Sequence, residues 1–333
     1  MEPNPHDRFS RRAFADLEVM RTHLRAFLPA ALVAQIDLER LRREPDVLLD
    51  PDLRERLSDL LFSAPARGKR RALFWFVFEH RSTPAPDLPF DLLRSATRIL
   101  ESWRRAHPRE RALPRIVPVV VYAGPAPFTA PRRLAELLGA GDADDGLGPD
   151  LGYVLTDLTH VDDEVLRLRT GAVAFAALSL LLLKHARSDD LFARLARGAD
   201  LLRALLRAPT GLDALRTLLT YVLAVRGTDA ERDLATAVLP RLDEHDRETV
   251  MGTFKSYADV LREEGMEKGL ATGRAEGRRR DAAEKLLRVL RRRFEVPAAL
   301  ADRIEGAAYE DLDRWFDRAL DADSLDEVFE PGS

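Results

Sequence analysis

The chain has 333 residues, 46% of them hydrophobic and 32% charged, with a formal net charge of −4. That make-up describes a folded protein with a substantial core and excludes both a disordered chain and a globally basic nucleic-acid binder, so any DNA contact must rest on local patches. The absence of cysteine excludes disulfides and thiolate zinc sites and suits a reducing cytoplasm, which is the expected location.

The opening residues lack the apolar core of a signal peptide. From Phe9 to Phe27 the apolar spacing predicts an amphipathic helix, with Phe9, Phe14, Leu17, Leu24 and Phe27 near one face and Pro29 closing it. His6 and Asp7 precede it, and Asp7 reads as its N-cap. A short helix from Pro29 to Gln35 follows, then a polar passage in which Val47 to Leu49 is a candidate edge strand.

The stretch from Leu57 to Arg81 is the centre of the pattern. It reads LSDLLF, a basic turn SAPARGKR containing Pro65 and Gly68, then RALFWFVFEHR. Short apolar runs bounded by turn residues predict two buried strands. Each has an acid near its end, Asp59 in the first and Glu79 in the second, and acids are costly to bury without compensation. Strand alternation puts Glu79 and Arg81 on one face and His80 on the other. Two explanations fit the acids. Asp59 can pair with Arg54 or Arg56, and Glu79 with Arg81 or Arg94; alternatively, both can face a divalent cation.

A proline-rich loop leads to a periodic helix from Phe90 to Ala106. RIVPVVVY, Arg115 to Tyr122, is a third buried strand, its Pro118 predicting an edge or a bulge. A Gly/Asp-rich loop covers Gly139 to Gly152, Tyr153 to Leu158 is a fourth strand, and Asp157 and His160 read as turn and capping residues. The expected fold is α/β, a small mixed β-sheet flanked by helices, followed by a helical half. The apolar stretch Ala172 to Leu183 falls short of the roughly 20 residues needed to cross a bilayer, so it reads as a buried helix and no membrane partner is expected.

Gly265, Gly269, Gly273 and Gly277 recur every four residues in a charged stretch. In a helix they form a slowly drifting bare stripe. Each costs roughly 1 kcal/mol relative to alanine, so the stripe implies either a soft linker or close contact between two copies in a homo-dimer. Beyond it, Asp281 to Phe294 and Leu300 to Leu320 form the helices of a small C-terminal domain. The expected division is a first domain over 1–255, a glycine-spaced helical linker over 256–280 and the small helical domain over 281–333.

An acid on one strand and E-x-R on the next has the layout of the PD-(D/E)xK nuclease fold, with Arg81 where that fold has Lys. PHDRFSRRAFADLEVMRTHLRAFLP, RERLSDLLF, FVFEHRS, PFDLLRSATRILESW and IVPVVVYAG occur in that order. Together they resemble the Rpn family of recombination-promoting nucleases, over roughly residues 5 to 255. The resemblance implies a Mg²⁺- or Mn²⁺-dependent DNA endonuclease. It assigns Asp59, Glu79 and the carbonyl of His80 to the metal, and Arg81, where the family commonly has Gln, to the catalytic set. Arg81 stays protonated and cannot serve as a base, though it can neutralise charge on a phosphate or orient a water. A catalytically weak or inactive DNA-binding or self-assembling protein that keeps the same fold is the competing reading. Asp7 is expected to help order the site from the first helix. Basic clusters at Arg67 to Arg71, Arg104 to Arg115 and Arg278 to Arg293 are candidate DNA-backbone contacts or solvated surface.

Overall fold

The computed structural model describes residues 4–45, 60–68, 73–138, 149–227 and 230–329. Two compact units emerge, Met1–Tyr257 and Ala258–Ser333.

The first unit begins with α1 (Pro5–Phe14), α2 (Leu17–Phe27) and α3 (Ala30–Val33). The single helix expected over Phe9 to Phe27 is therefore two. Asp16 breaks it by capping α2, its Oδ1 accepting from the backbone N–H groups of Glu18 (2.8 Å) and Val19 (3.2 Å). Asn4 is the N-cap of α1, so Asp7 lies inside the first turn and is freed for another partner.

Five strands follow: β1 (Arg42–Arg43), β2 (Leu60–Pro65), β3 (Leu73–Arg81), β4 (Arg115–Tyr122) and β5 (Val154–Asp157). They form one mixed sheet in the order β1-β2-β3-β4-β5. β1, β2 and β3 are antiparallel neighbours, whereas β3, β4 and β5 run parallel. Asp59 and the candidate strand Val47 to Leu49 lie outside the described residues; the described edge strand is β1. The turn after β2 carries Gly68 at φ 67°, a left-handed conformation that favours glycine.

Leu73 to Phe78 of β3 form an unbroken apolar run because both faces of the strand are covered. On one, Phe78 stacks on Phe14 of α1 with centroids 4.3 Å apart and meets His23 of α2 edge-on. On the other, Trp75 and Val77 pack with Leu61 of β2 and with Leu88, Leu92 and Ile99 of α4 (Leu88–Ala106). Each aromatic pair adds about 1 kcal/mol beyond its buried area. Pro118 pairs with Val77, while β5 pairs with β4 only from Val119 onward. The proline thus sits just outside the doubly paired part of an interior strand, where its missing N–H is tolerated.

The helical half comprises α5 (Asp163–Thr170), α6 (Ala174–His185), α7 (Leu191–Arg197), α8 (Ala199–Leu206), α9 (Gly211–Arg226) and α10 (Ala230–Asp233). α6 is buried almost all round and packs against α1, α2, α5, α8 and α9. The boundary between the units falls within α11 (Glu244–Arg293).

In the second unit, Ala283, Leu286, Leu287 and Leu290 of α11 share a core with α12 (Ala298–Glu305), α13 (Tyr309–Asp321) and α14 (Leu325–Phe329) through Ile304, Leu312, Ala319 and Val328. Arg279 donates to Glu305 O, and Arg293 donates to the carbonyls of Ala319 (2.7 Å) and Leu320 (2.8 Å). These two arginines of the last basic cluster therefore satisfy helix ends. No helix among the described residues is long and apolar enough to cross a membrane.

Candidate functional site

The parallel register aligns the last residues of three strands in one row: Arg81 opposite Tyr122, and Tyr122 opposite Asp157. Backbone bonds extend the row, with Ala123 N–H donating to Arg81 O (2.9 Å) and Leu158 N–H to Tyr122 O (3.0 Å). Carboxyl ends of parallel strands are where open α/β sheets place their ligands. β3 brings Glu79, His80 and Arg81 to this edge.

Glu79 is 1% exposed. Its Oε1 lies 2.8 Å from Arg81 Nε, the ion pair being made along one face of the strand. Arg94, the other partner considered, pairs with Asp91 (3.7 Å). Oε2 of Glu79 is buried and accepts no hydrogen bond among the described residues. A buried charged oxygen without a donor costs about 1–3 kcal/mol or more, and a hard cation at that oxygen would offset the cost. A carboxylate oxygen is the donor type Mg²⁺ and Mn²⁺ take, so Glu79 fits a metal ligand. Among the described residues no three His, Asp or Glu side chains form a metal-binding group; Asp59 lies outside them.

His80 is also fully buried and points to the opposite face, as strand alternation predicts. Its Nδ1 is 3.0 Å from Oδ1 of Asp7. The carboxylate accepts, so Nδ1 carries the proton. Nε2 of His80 is buried with no partner among the described residues. Asp7 thus reaches the strand end through His80, not as a helix cap. Next to it, His6 Nδ1 is 2.5 Å from the hydroxyl of Tyr221, and Tyr221 stacks on Phe9 at 4.0 Å. Burial, then the charges of Arg187 and His80, hold His6 down to about 4. Burial raises the Tyr221 hydroxyl above its ordinary range.

Asp157 closes the row. It accepts from Phe128 N (3.1 Å), Thr159 N (2.9 Å), Thr159 Oγ1 (2.7 Å) and His160 Nδ1 (3.0 Å). Burial works against its charge, but these donors outweigh it and keep the carboxyl below its usual range. Asp157 is the last residue of β5 rather than a turn residue, and its carboxylate holds the turn that carries His160.

The end of α6 carries further charged groups that the sequence pattern does not single out. Lys184 Nζ donates to Val161 O and Asp163 (both 2.7 Å), His185 Nε2 lies 2.8 Å from the same carboxylate, and Arg187 donates to Ala123 O (3.0 Å). The available signal was a basic K-H-A-R segment closing an otherwise almost wholly apolar helix. Of the basic turn after β2, Arg67 is described, and its Nε donates to Ile36 O (2.9 Å).

Fold and site edge define an α/β protein built on a mixed five-stranded sheet, with charged groups collected at the ends of its parallel strands. The chain belongs to the family described as "Putative transposase, YhgA-like", whose model matches residues 4–212. It is 28% identical over 309 residues to an Escherichia coli protein named inactive recombination-promoting nuclease-like protein RpnE, covering 90% of this chain and 93% of that protein. It is 27% identical over 272 residues to recombination-promoting nuclease RpnA of Escherichia coli, 78% of this chain and 84% of the relative. Recombination-promoting nuclease RpnD of Escherichia coli is 26% identical over 260 residues, 74% of this chain and 91% of the relative. No solved structure matches the chain.

Proposed function

We propose that this protein is a metal-dependent DNA endonuclease of the PD-(D/E)xK type, acting in the cytoplasm, with Asp59 and Glu79 as carboxylate ligands of Mg²⁺ or Mn²⁺ and the His80 carbonyl completing the protein's share. The observation that carries the proposal is Glu79: a buried carboxylate at the end of β3 with one oxygen unpartnered among the described residues. Relatives named recombination-promoting nucleases support DNA as the substrate. A bound Mg²⁺ would supply an acidified water and offset charge on the scissile phosphate. The chain's own contributions are distinct. Glu79 presents a buried carboxylate oxygen at the end of β3. Asp7 fixes the tautomer of His80 and thereby the end of β3. Arg81, only two residues from Glu79, offers a permanent guanidinium to a phosphate oxygen.

One observation favours a second reading, an inactive DNA-binding protein. The Arg81–Glu79 pair, at 2.8 Å, already neutralises the carboxylate that the metal needs, and one relative carries the word inactive in its name. Cleavage of supercoiled plasmid with Mg²⁺ and with a chelator, beside Asp59→Ala, tests the choice. Metal-dependent nicking lost in the variant supports the nuclease; DNA binding without nicking supports the inactive form.

The glycine-spaced part of α11, between a nuclease domain over 1–255 and a C-terminal domain over 281–333, is proposed as linker or dimer contact. A Cβ at Gly265, Gly269, Gly273 or Gly277 meets no other atom within 4 Å, so that face is open to a second copy.

A further inference from the structure

A cleft of about 360 Å³ opens beside the strand-end row, lined by Ala123, Gly124, Pro125, Leu158, Thr159, Lys184, His185, Arg187 and Ser188. Its floor is the loop after β4, one residue beyond the Ala123–Arg81 hydrogen bond, so it continues the edge that carries Glu79 and Arg81. That volume lies within the range of about 300–1,000 Å³ typical of small-ligand clefts.

Among the described residues lining it are two fixed cations, Lys184 and Arg187, and no carboxylate. The acid behind the wall is Asp163, shared by Lys184 (2.7 Å), His185 (2.8 Å) and Arg194 (3.1 Å). A second acid, Asp190, pairs with Arg194 (2.8 Å), so among the described residues two carboxylates answer Lys184 and Arg194 and the charge of Arg187, held by a carbonyl, is left over. Burial opposes ionisation of Asp163, but the Lys184 and His185 hydrogen bonds outweigh it and keep the carboxylate charged. Arg187 is held at one end: Nη1 donates to Ala123 O at 3.0 Å, and the side chain is exposed. The remaining donors of its planar fork suit a tetrahedral oxyanion. The backbone also needs Gly124 here, because a Cβ at that position would lie 1.9 Å from the Tyr122 hydroxyl, which donates to Ala126 O at 2.9 Å. The chain therefore turns tightly under the cleft and leaves its mouth uncrowded.

We propose that this cleft is a phosphate subsite in which Arg187 and Lys184 grip a backbone phosphate of the DNA strand next to the one at Glu79. The assignment rests on the nuclease reading for its substrate. The same chemistry would also accept a free phosphate monoester such as a 5′-mononucleotide. The test separates the two.

The full chain carrying Glu79→Gln, which the nuclease reading expects to bind without cutting, is titrated with a short fluorescent duplex over a range of salt. Arg187→Ala in this background should weaken binding several-fold and lower the slope of log affinity against log salt by about 0.9, the value of one phosphate contact. Arg187→Lys, which keeps the charge, should recover most of the slope. Lys184→Ala should act in the same direction, and thermal unfolding identifies any variant that has lost its fold. If the parent binds and Arg187→Ala matches it in affinity and slope, the subsite is overturned while the nuclease reading stands. A parent that binds no duplex overturns both. A 5′-mononucleotide that binds through Arg187, with duplex affinity unchanged by Arg187→Ala, would overturn the strand assignment in favour of a free monoester.

Discussion

Arg81 Nε and Glu79 Oε1 are 2.8 Å apart on one face of β3, the carboxylate buried and the guanidinium partly open to solvent. Removing the arginine leaves a buried charge alone, a change that typically costs 3–5 kcal/mol. Arg81→Ala should therefore lower the free energy of urea unfolding by about 3 kcal/mol without metal. Added Mg²⁺ should restore part of the loss if the cation takes up the same carboxylate. Equal stability of variant and parent would mean that Glu79 is neutral or paired elsewhere.

Arg81→Lys asks what the guanidinium does for chemistry. The nuclease account expects reduced cleavage, because a lysine keeps the charge but loses the planar fork. Faster cleavage than the parent, measured as initial nicking rate, would show instead that Arg81 holds Glu79 out of action.

Acid sensitivity should come from helices packed on the sheet. Burial brings His23 down to about 3, from an ordinary 6.5. Between those values the unfolded chain binds a proton that the folded protein refuses. Stability is thus complete above about pH 6.5 and falls as pH drops towards 3, by at most about 1.4 kcal/mol per pH unit from this group. His6, shifted in the same direction, adds a smaller share because it is only half-buried. His23→Gln should flatten the acid limb in urea titrations from pH 7 to 4. An unchanged slope would exclude His23 as its source.

Gly124→Ala should be disproportionately harmful for one added methyl. Its Cβ would overlap the Tyr122 hydroxyl, so the ring or the loop must shift, at about 1–3 kcal/mol. A lower melting temperature is expected. A neutral result would mean that the Tyr122–Ala126 contact is dispensable.

The glycine stripe of α11 should respond in the opposite way. Alanine at Gly265, Gly269, Gly273 and Gly277 meets open space and favours the helix by roughly 1 kcal/mol per site. Circular dichroism should show increased helix stability, with particle mass by light scattering unchanged. A fall from dimer to monomer would make the stripe a contact between two copies.

The sheet was legible because β3 opens with six consecutive apolar residues, Leu73 to Phe78, and β4 is apolar from Ile116 to Tyr122, a pattern of covered strands. The break at Asp16 was less visible, since apolar spacing continues through it and only the cap gives it away. Within the site, alternation along β3 was enough to join Glu79 to Arg81. It could not supply Asp7, which meets His80 across 73 residues, or Arg187, which meets Ala123 across 64. Such contacts depend on how helices dock on the sheet, and no local period encodes them.

The most direct measurement is the nicking of supercoiled plasmid by the purified full chain in Mg²⁺, set beside Glu79→Gln, which keeps the shape of the side chain and removes its charge. The account predicts nicking by the parent that stops on chelation and is lost in the variant while the fold persists. Undiminished, Mg²⁺-dependent nicking by Glu79→Gln would contradict it, because the reaction would then not depend on the buried carboxylate at the end of β3.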